Sequence, residues 1–146
     1  MELPIKVNGV VVFNDKVLVI KRVETDGGFW QTVTGTVEDG EKLKDTLIRE
    51  IAEEVGITDI DSISDVIHKF TWDKKGWPQT EFVYVVTVTS NRVQLSPEHD
   101  DFMWLSFEDA VEKVKTENNK EVINKAYQWR ENSSAYLSAG NHSVQP

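Results

Sequence analysis

The stretch from Gly35 to Ile57, GTVEDGEKLKDTLIREIAEEVGI, constrains this chain more than any other because it sets a helix against its own core. A helix turns about 100° per residue, so Leu47, Ile48, Ile51 and Val55 fall within roughly a third of its circumference, the stripe that packs inward. Gly56 directly after the pattern is a C-terminal stop. Solvated charges belong opposite the stripe, beside Lys42, Asp45 and Arg49, and of three glutamates only Glu53 lies there. Glu54 falls about 20° from Leu47 and Glu50 about 60° from it. Ionised groups at the margin of a core are costly unless positive charge meets them. Arg49, four residues before Glu53, supplies one guanidinium for three carboxylates. A divalent cation meets the rest: carboxylate oxygens are hard ligands, and the spacing i, i+3, i+4 points them into one volume suited to Mg2+ or Mn2+.

The flanking sequence supplies a sheet. Residues 5–13 and 17–21 are β-branched runs separated by Asn14, Asp15 and Lys16, which read as a hairpin turn. Residues 23–28 read as a loop, and 29–37 return to strand composition before the turn at Asp39 and Gly40. Beyond the helix, residues 63–72 and 80–89 read as the two strands of a long hairpin around the loop 73–78, and 102–105 as a short strand. Ser106 with Asp109 three residues later opens a helix expected to reach Lys115, and another covers about 120–130. The order of elements predicts an α+β fold with a mixed sheet between helices. A length of 146 residues fits one domain, placed at 1–131, and the aperiodic stretch 132–146 reads as a disordered tail.

Composition excludes several classes of function. A net charge of -9 repels a polyphosphate backbone over most of the surface, which argues against a broad nucleic-acid interface. No apolar run is long enough to cross a bilayer, and the first residues lack a basic start and an h-region, so a cytoplasmic protein is expected. The absence of cysteine removes disulfides and thiolate metal sites. Assembly as a homodimer is left open by the sequence.

Gly35, Glu41, Arg49, Glu50, Ile51, Glu53, Glu54, Gly56 and Ile57 match without departure the signature G-x5-E-x7-R-E-U-x-E-E-x-G-U, where U is a bulky aliphatic residue. By these nine positions the chain resembles the Nudix hydrolases. The resemblance implies an α/β/α sandwich and metal-dependent hydrolysis of a diphosphate joined to another group, with water attacking phosphorus. It further implies that Glu50 and Glu54 hold Mg2+ (or Mn2+) directly, with Glu53 either a third ligand or the acceptor of the water's proton. Gly35 would bring its backbone carbonyl to the metal, and Arg49 would orient the carboxylates rather than touch substrate. Glu41 would either ligate or pair with Arg49. The segment around Glu98 and His99 resembles a loop that in some members supplies the base, which makes Glu98 the second candidate for that role.

Substrate identity lies outside the motif. The approach FWQTVTGTVEDGE resembles that of the dihydroneopterin triphosphate pyrophosphatase branch of the family. Lys21 and Arg22, at the end of the second strand, are candidates for the phosphate chain, and Trp30 with Phe29, Trp72 and Trp77 for a flat ring. The expected substrate is a nucleoside or pterin triphosphate, cleaved to pyrophosphate and a monophosphate. Dinucleoside polyphosphates, nucleotide sugars and a non-catalytic nucleotide-binding module are the alternatives.

Overall fold

The computed structural model describes the backbone of residues 4–144 and the side chains of residues 4–133. Strands β1 (Ile5–Phe13) and β2 (Lys16–Arg22) are joined by Asn14 and Asp15 at φ 47° and 63°. Positive φ at both turn residues gives the tight turn whose twist matches the strands it joins. The chain continues through β3 (Trp30–Gln31), β4 (Val33–Thr36), α1 (Leu43–Val55), β5 (Ile60–Ile63), β6 (His68–Lys74), β7 (Trp77–Val88), β8 (His99–Leu105), α2 (Phe107–Lys113) and α3 (Glu117–Val144).

The sheet is mixed. β1 runs parallel to β7, from Ile5 beside Thr80 to Val12 beside Thr87, and the remaining pairings are antiparallel. Away from their turn β1 and β2 part, and β4 takes the freed edge of β1 while β3 takes that of β2. Residues 30–36 therefore bridge an opening in the sheet, and Gly35 sits at its far end, facing Val7 across the ladder.

Side chains alternate across the strands, and both faces are covered. Val7 and Val11 of β1, Leu18 and Ile20 of β2, and Tyr84 and Val86 of β7 pack with Leu47, Ile51 and Val55 of α1. Val10, Val12, Val17, Val19, Val83 and Val85 turn the other way, onto Phe107 and Ala110 of α2 and Val122, Ile123 and Ala126 of α3. This is the expected α/β/α sandwich. No helix among the described residues is long and apolar enough to cross a membrane.

The caps follow the sequence. Gly56 adopts φ 70° and returns its N–H to the Ala52 carbonyl, and the Ser106 hydroxyl accepts from the Asp109 N–H at 3.1 Å. Several bounds differ from the expected ones, among them 63–72, which divides into β5 and β6, and β8, which starts at His99. Residues 73–78 are a two-residue turn rather than a loop: Lys75 and Gly76 take φ 50° and 89°, and Pro78 lies within β7. Ile48, about 100° from Leu47, is 44% exposed rather than part of the stripe. α2 stops at Lys113, two residues earlier than expected. The backbone of α3 is helical through Val144, across the stretch read as a tail, and residues 145–146 lie outside the described ones.

The two faces of α1 predict unequal costs of truncation. Leu47→Ala, at a fully buried position, should lower stability by about 2–5 kcal/mol in urea unfolding. Ile48→Ala should cost well under half as much; equal losses would contradict the packing described.

Candidate active site

The site is organised by a single guanidinium. Arg49 Nε donates to Glu41 Oε2 at 2.8 Å and Nη2 to Glu41 Oε1 at 2.9 Å, a two-pronged grip on one carboxylate. Its Nη1 donates to Glu50 Oε1 at 2.8 Å and to Glu53 Oε2 at 3.3 Å, while Nη2 also reaches the Thr36 carbonyl at 3.2 Å. Arg49 thus ties α1 to the end of β4 and to the loop between them. Of the two roles open to Glu41, the geometry has the pairing with Arg49. The Glu41 carboxyl is pulled from its ordinary 4.5 to about 2, first by Arg49 and then by the Thr46 hydroxyl, which donates at 2.7 Å.

Gly35 is required by Glu50. A Cβ at residue 35 would lie 2.0 Å from Glu50 Cγ, so the glutamate side chain crosses where any other residue would place its own. Burial pushes the Glu50 carboxyl up, the charge and hydrogen bonds of Arg49 pull it back, and Glu53 and Glu54 raise it further. Glu54 is 8% exposed, as the helix wheel requires. Burial alone would push its carboxyl up as well, yet His99, the Ser96 hydroxyl (3.2 Å) and Arg22 together hold it below the ordinary range. His99 Nδ1 stands 2.8 Å from Glu54 Oε2 in an orientation that is not that of an aligned hydrogen bond, so this buried nitrogen has no aligned partner.

Glu50, Glu53, Glu54 and Glu98 open onto one recess of about 290 Å3. Glu53 is the solvent-facing glutamate of the three on α1, with its side chain 57% exposed. Glu98 reaches the recess from the residue before β8, whose neighbour His99 pairs with Arg22 across the ladder. Of the two basic candidates for the phosphate chain, Arg22 lines this recess and Lys21 does not. Lys21 Nζ is engaged by Glu24 at 3.0 Å and Asp100 at 3.3 Å, because successive strand residues point to opposite faces. Trp30 also lies elsewhere: it packs against the α2 and α3 side of the core, with Lys113 Nζ 4.8 Å over its ring.

Lys6, not singled out from the sequence, lines the recess in the place expected of Lys21. The signal was there, since Lys6 interrupts an apolar strand in the same two-residue period as Val10 and Val12.

The donor set fits a divalent cation: the oxygens are hard, three come from one helix, and they share one recess. Among the described residues no three acidic or histidine side chains yet converge on one point. Arg49 holds Glu50 and Glu53, and His99 holds Glu54.

A mixed sheet between helices, with a glycine-to-helix turn that presents clustered glutamates, defines a class of diphosphate-cleaving hydrolases. The NUDIX domain profile matches residues 4–126, and the chain belongs to the Nudix hydrolase family. A dihydroneopterin triphosphate diphosphatase from Haemophilus influenzae is 34% identical over 125 residues, covering 76% of this chain and 78% of its own. An RNA pyrophosphohydrolase from Campylobacter jejuni is 28% identical over 115 residues, covering 70% and 73%. The solved dihydroneopterin triphosphate pyrophosphohydrolase of E. coli shares the fold, with a TM-score of 0.74 at 24% identity over 85% of this chain and 94% of that one.

The Arg49 to Glu41 grip predicts a pH dependence. Because folding depresses the Glu41 carboxyl, its stabilisation is complete above about pH 4.5 and disappears as pH falls through about 2. Glu41→Gln should therefore lower the melting temperature at pH 7, with the deficit shrinking steadily between pH 4.5 and 2. A deficit as large at pH 2.5 as at pH 7 would remove the ion pair as its cause.

Proposed function

We propose that this chain is a Mg2+-dependent pyrophosphohydrolase of a nucleoside or pterin triphosphate, releasing pyrophosphate and a monophosphate. The observation that carries the reading is the recess lined together by Glu50, Glu53 and Glu54 and by Lys6 and Arg22, the latter paired with Asp26. Carboxylates on one wall and cations on another suit a phosphate chain that is neutralised from both sides. The similarity to a dihydroneopterin triphosphate diphosphatase supports the choice of a triphosphate.

The chemistry is limited by charge, since an electron-rich water oxygen must reach an anionic phosphorus. Glu50 and Glu54 would hold a divalent cation, which would supply neutralisation of phosphate oxygens and activation of water. Arg49 keeps Glu50 and Glu53 in register with the end of β4, so the side chains that must turn toward the cation start from a helix fixed at the recess. Lys6 and Arg22 draw the phosphate chain toward the glutamates. Glu53, exposed on a rigid helix, accepts the proton of the attacking water, and Glu98 on the facing loop is the second candidate.

Pyrophosphate release from a panel of nucleoside and pterin triphosphates with Mg2+ tests the reaction; a panel without turnover overturns it. The base is assigned by comparing Glu53→Gln and Glu98→Gln across a Mg2+ titration. Glu53→Gln should lower turnover at least about a hundredfold at saturating Mg2+, flatten the acid limb of the pH profile and resist rescue by metal. Glu98→Gln should cost under about tenfold. The reverse pattern transfers the role to Glu98, and full rescue of Glu53→Gln by Mg2+ makes Glu53 a ligand.

A further inference from the structure

A second recess of about 360 Å3 adjoins the first, sharing Lys6, Arg22, Gln31 and Thr34 in its walls. Its remaining walls include the aromatic rings of Phe29, Phe70 and Trp72. Glu81 also lines it, a carboxylate only 6% exposed, in the two-residue period of β7 that otherwise carries Val83 and Val85. An acidic residue on an apolar face demands an account, because it is costly to bury.

Two side-chain donors, one from β1 and one from β6, hold this carboxylate. Asn8 Nδ2 donates to Oε1 at 3.1 Å, and Trp72 Nε1 donates to Oε2 at 2.6 Å. Asn8 is itself fixed, since its Oδ1 accepts from the Thr32 hydroxyl at 2.7 Å, which leaves its amide hydrogens for Glu81. No cation lies within ion-pair distance of Glu81 among the described residues, although the charge of Lys6 acts on it from farther away. Each oxygen has one lone-pair direction used, and a carboxylate accepts about four hydrogen bonds. The residue is therefore oriented as an acceptor, and it is incompletely neutralised.

We infer that Glu81 is a specificity-determining residue of the triphosphate reaction, accepting the paired N–H donors of a 2-amino-4-oxopyrimidine ring edge. Both guanine and a pterin carry that edge: a ring N–H beside an exocyclic amine. Adenine and cytosine put an acceptor nitrogen where the ring N–H is needed, and hypoxanthine lacks the amine. The shared walls give the geometry, with the ring in the Glu81 recess between aromatic side chains and the phosphates in the glutamate recess. Lys6 and Arg22 stand where the two meet. Burial pushes the Glu81 carboxyl up against the donors that pull it back, a deficit that two further N–H groups relieve. A buried acceptor of this kind discriminates strongly, because a ligand lacking the donor leaves it unpaired.

This inference rests on the proposed triphosphate reaction, and two readouts separate their failures. The first is kcat/KM for GTP, ITP, ATP and dihydroneopterin triphosphate with the wild type and Glu81→Gln. The second is calorimetric binding of GMP and IMP, which requires no turnover. The wild type should prefer GTP to ITP by at least about tenfold, and Glu81→Gln should narrow that ratio to about twofold or less. A preference for either the pterin or the guanine substrate supports the assignment, and their ratio shows which ring fits. If no triphosphate is cleaved, the reaction is overturned while GMP binding at least about tenfold tighter than IMP still upholds Glu81. If Glu81→Gln does not fold, the wild-type GMP to IMP ratio decides alone. Equal handling of guanine and hypoxanthine by the wild type, or a ratio unchanged in folded Glu81→Gln, overturns the proposal.

Discussion

The reach of Arg49 is the constraint on which the rest of the site depends. One guanidinium bonds Glu41, Glu50, Glu53 and the Thr36 carbonyl, so a loop, a strand end and a helix share one cationic centre. Without it Glu50 would be a carboxylate pressed against Gly35 at the core margin with two like charges beside it. The planar fork suits this task where a lysine would not, because its donors leave in fixed directions toward separate acceptors. What the fold gives up in burying acidic groups, it recovers as three carboxylates presented to one recess from a single helix.

The same trade recurs across the sheet. Glu54 is buried on α1 against His99, and Glu81 on β7 against Asn8 and Trp72, where the same period carries Val83 and Val85. These acids sit where the apolar pattern is broken, Glu54 opening onto one of the two joined recesses and Glu81 onto the other. The overall charge of -9 makes the local cations Lys6 and Arg22 more significant, since a polyanionic substrate finds few favourable approaches elsewhere.

The sandwich and the glutamate helix were legible in the sequence because each depends on periodicity. β-branched runs marked the first two strands, Gly56 and Ser106 named two caps, and the helix wheel located Glu54 at the core margin and Glu53 in solvent. What escaped depends on partners distant in the chain. Lys21 and Arg22 are equivalent as letters, and only the pairing of β2 with β8 decides which one faces the recess. Trp30 is as flat as Trp72, but its place beside α2 and α3 is set by elements far along the chain. Lys6, Asn8 and Glu81 meet through a parallel pairing of strands some seventy residues apart, which local patterns do not reveal. The long hairpin of β6 and β7 is present, and its turn is tighter than the loop 73–78 because Lys75 and Gly76 alone reverse the chain and proline is tolerated near a strand's start.

The central claim is that the acidic helix face serves catalysis at some expense of the fold, and Glu50→Gln addresses it most directly. The substitution keeps size and the capacity to accept from Arg49 while removing a charge that burial disfavours. Melting temperature at pH 7.5 in chelator and turnover in saturating Mg2+ should be measured on the same preparation. The account predicts a melting temperature equal to or above that of the wild type, with turnover lower by at least about a hundredfold. Near-normal turnover, or a clearly lower melting temperature in the absence of metal, would contradict it.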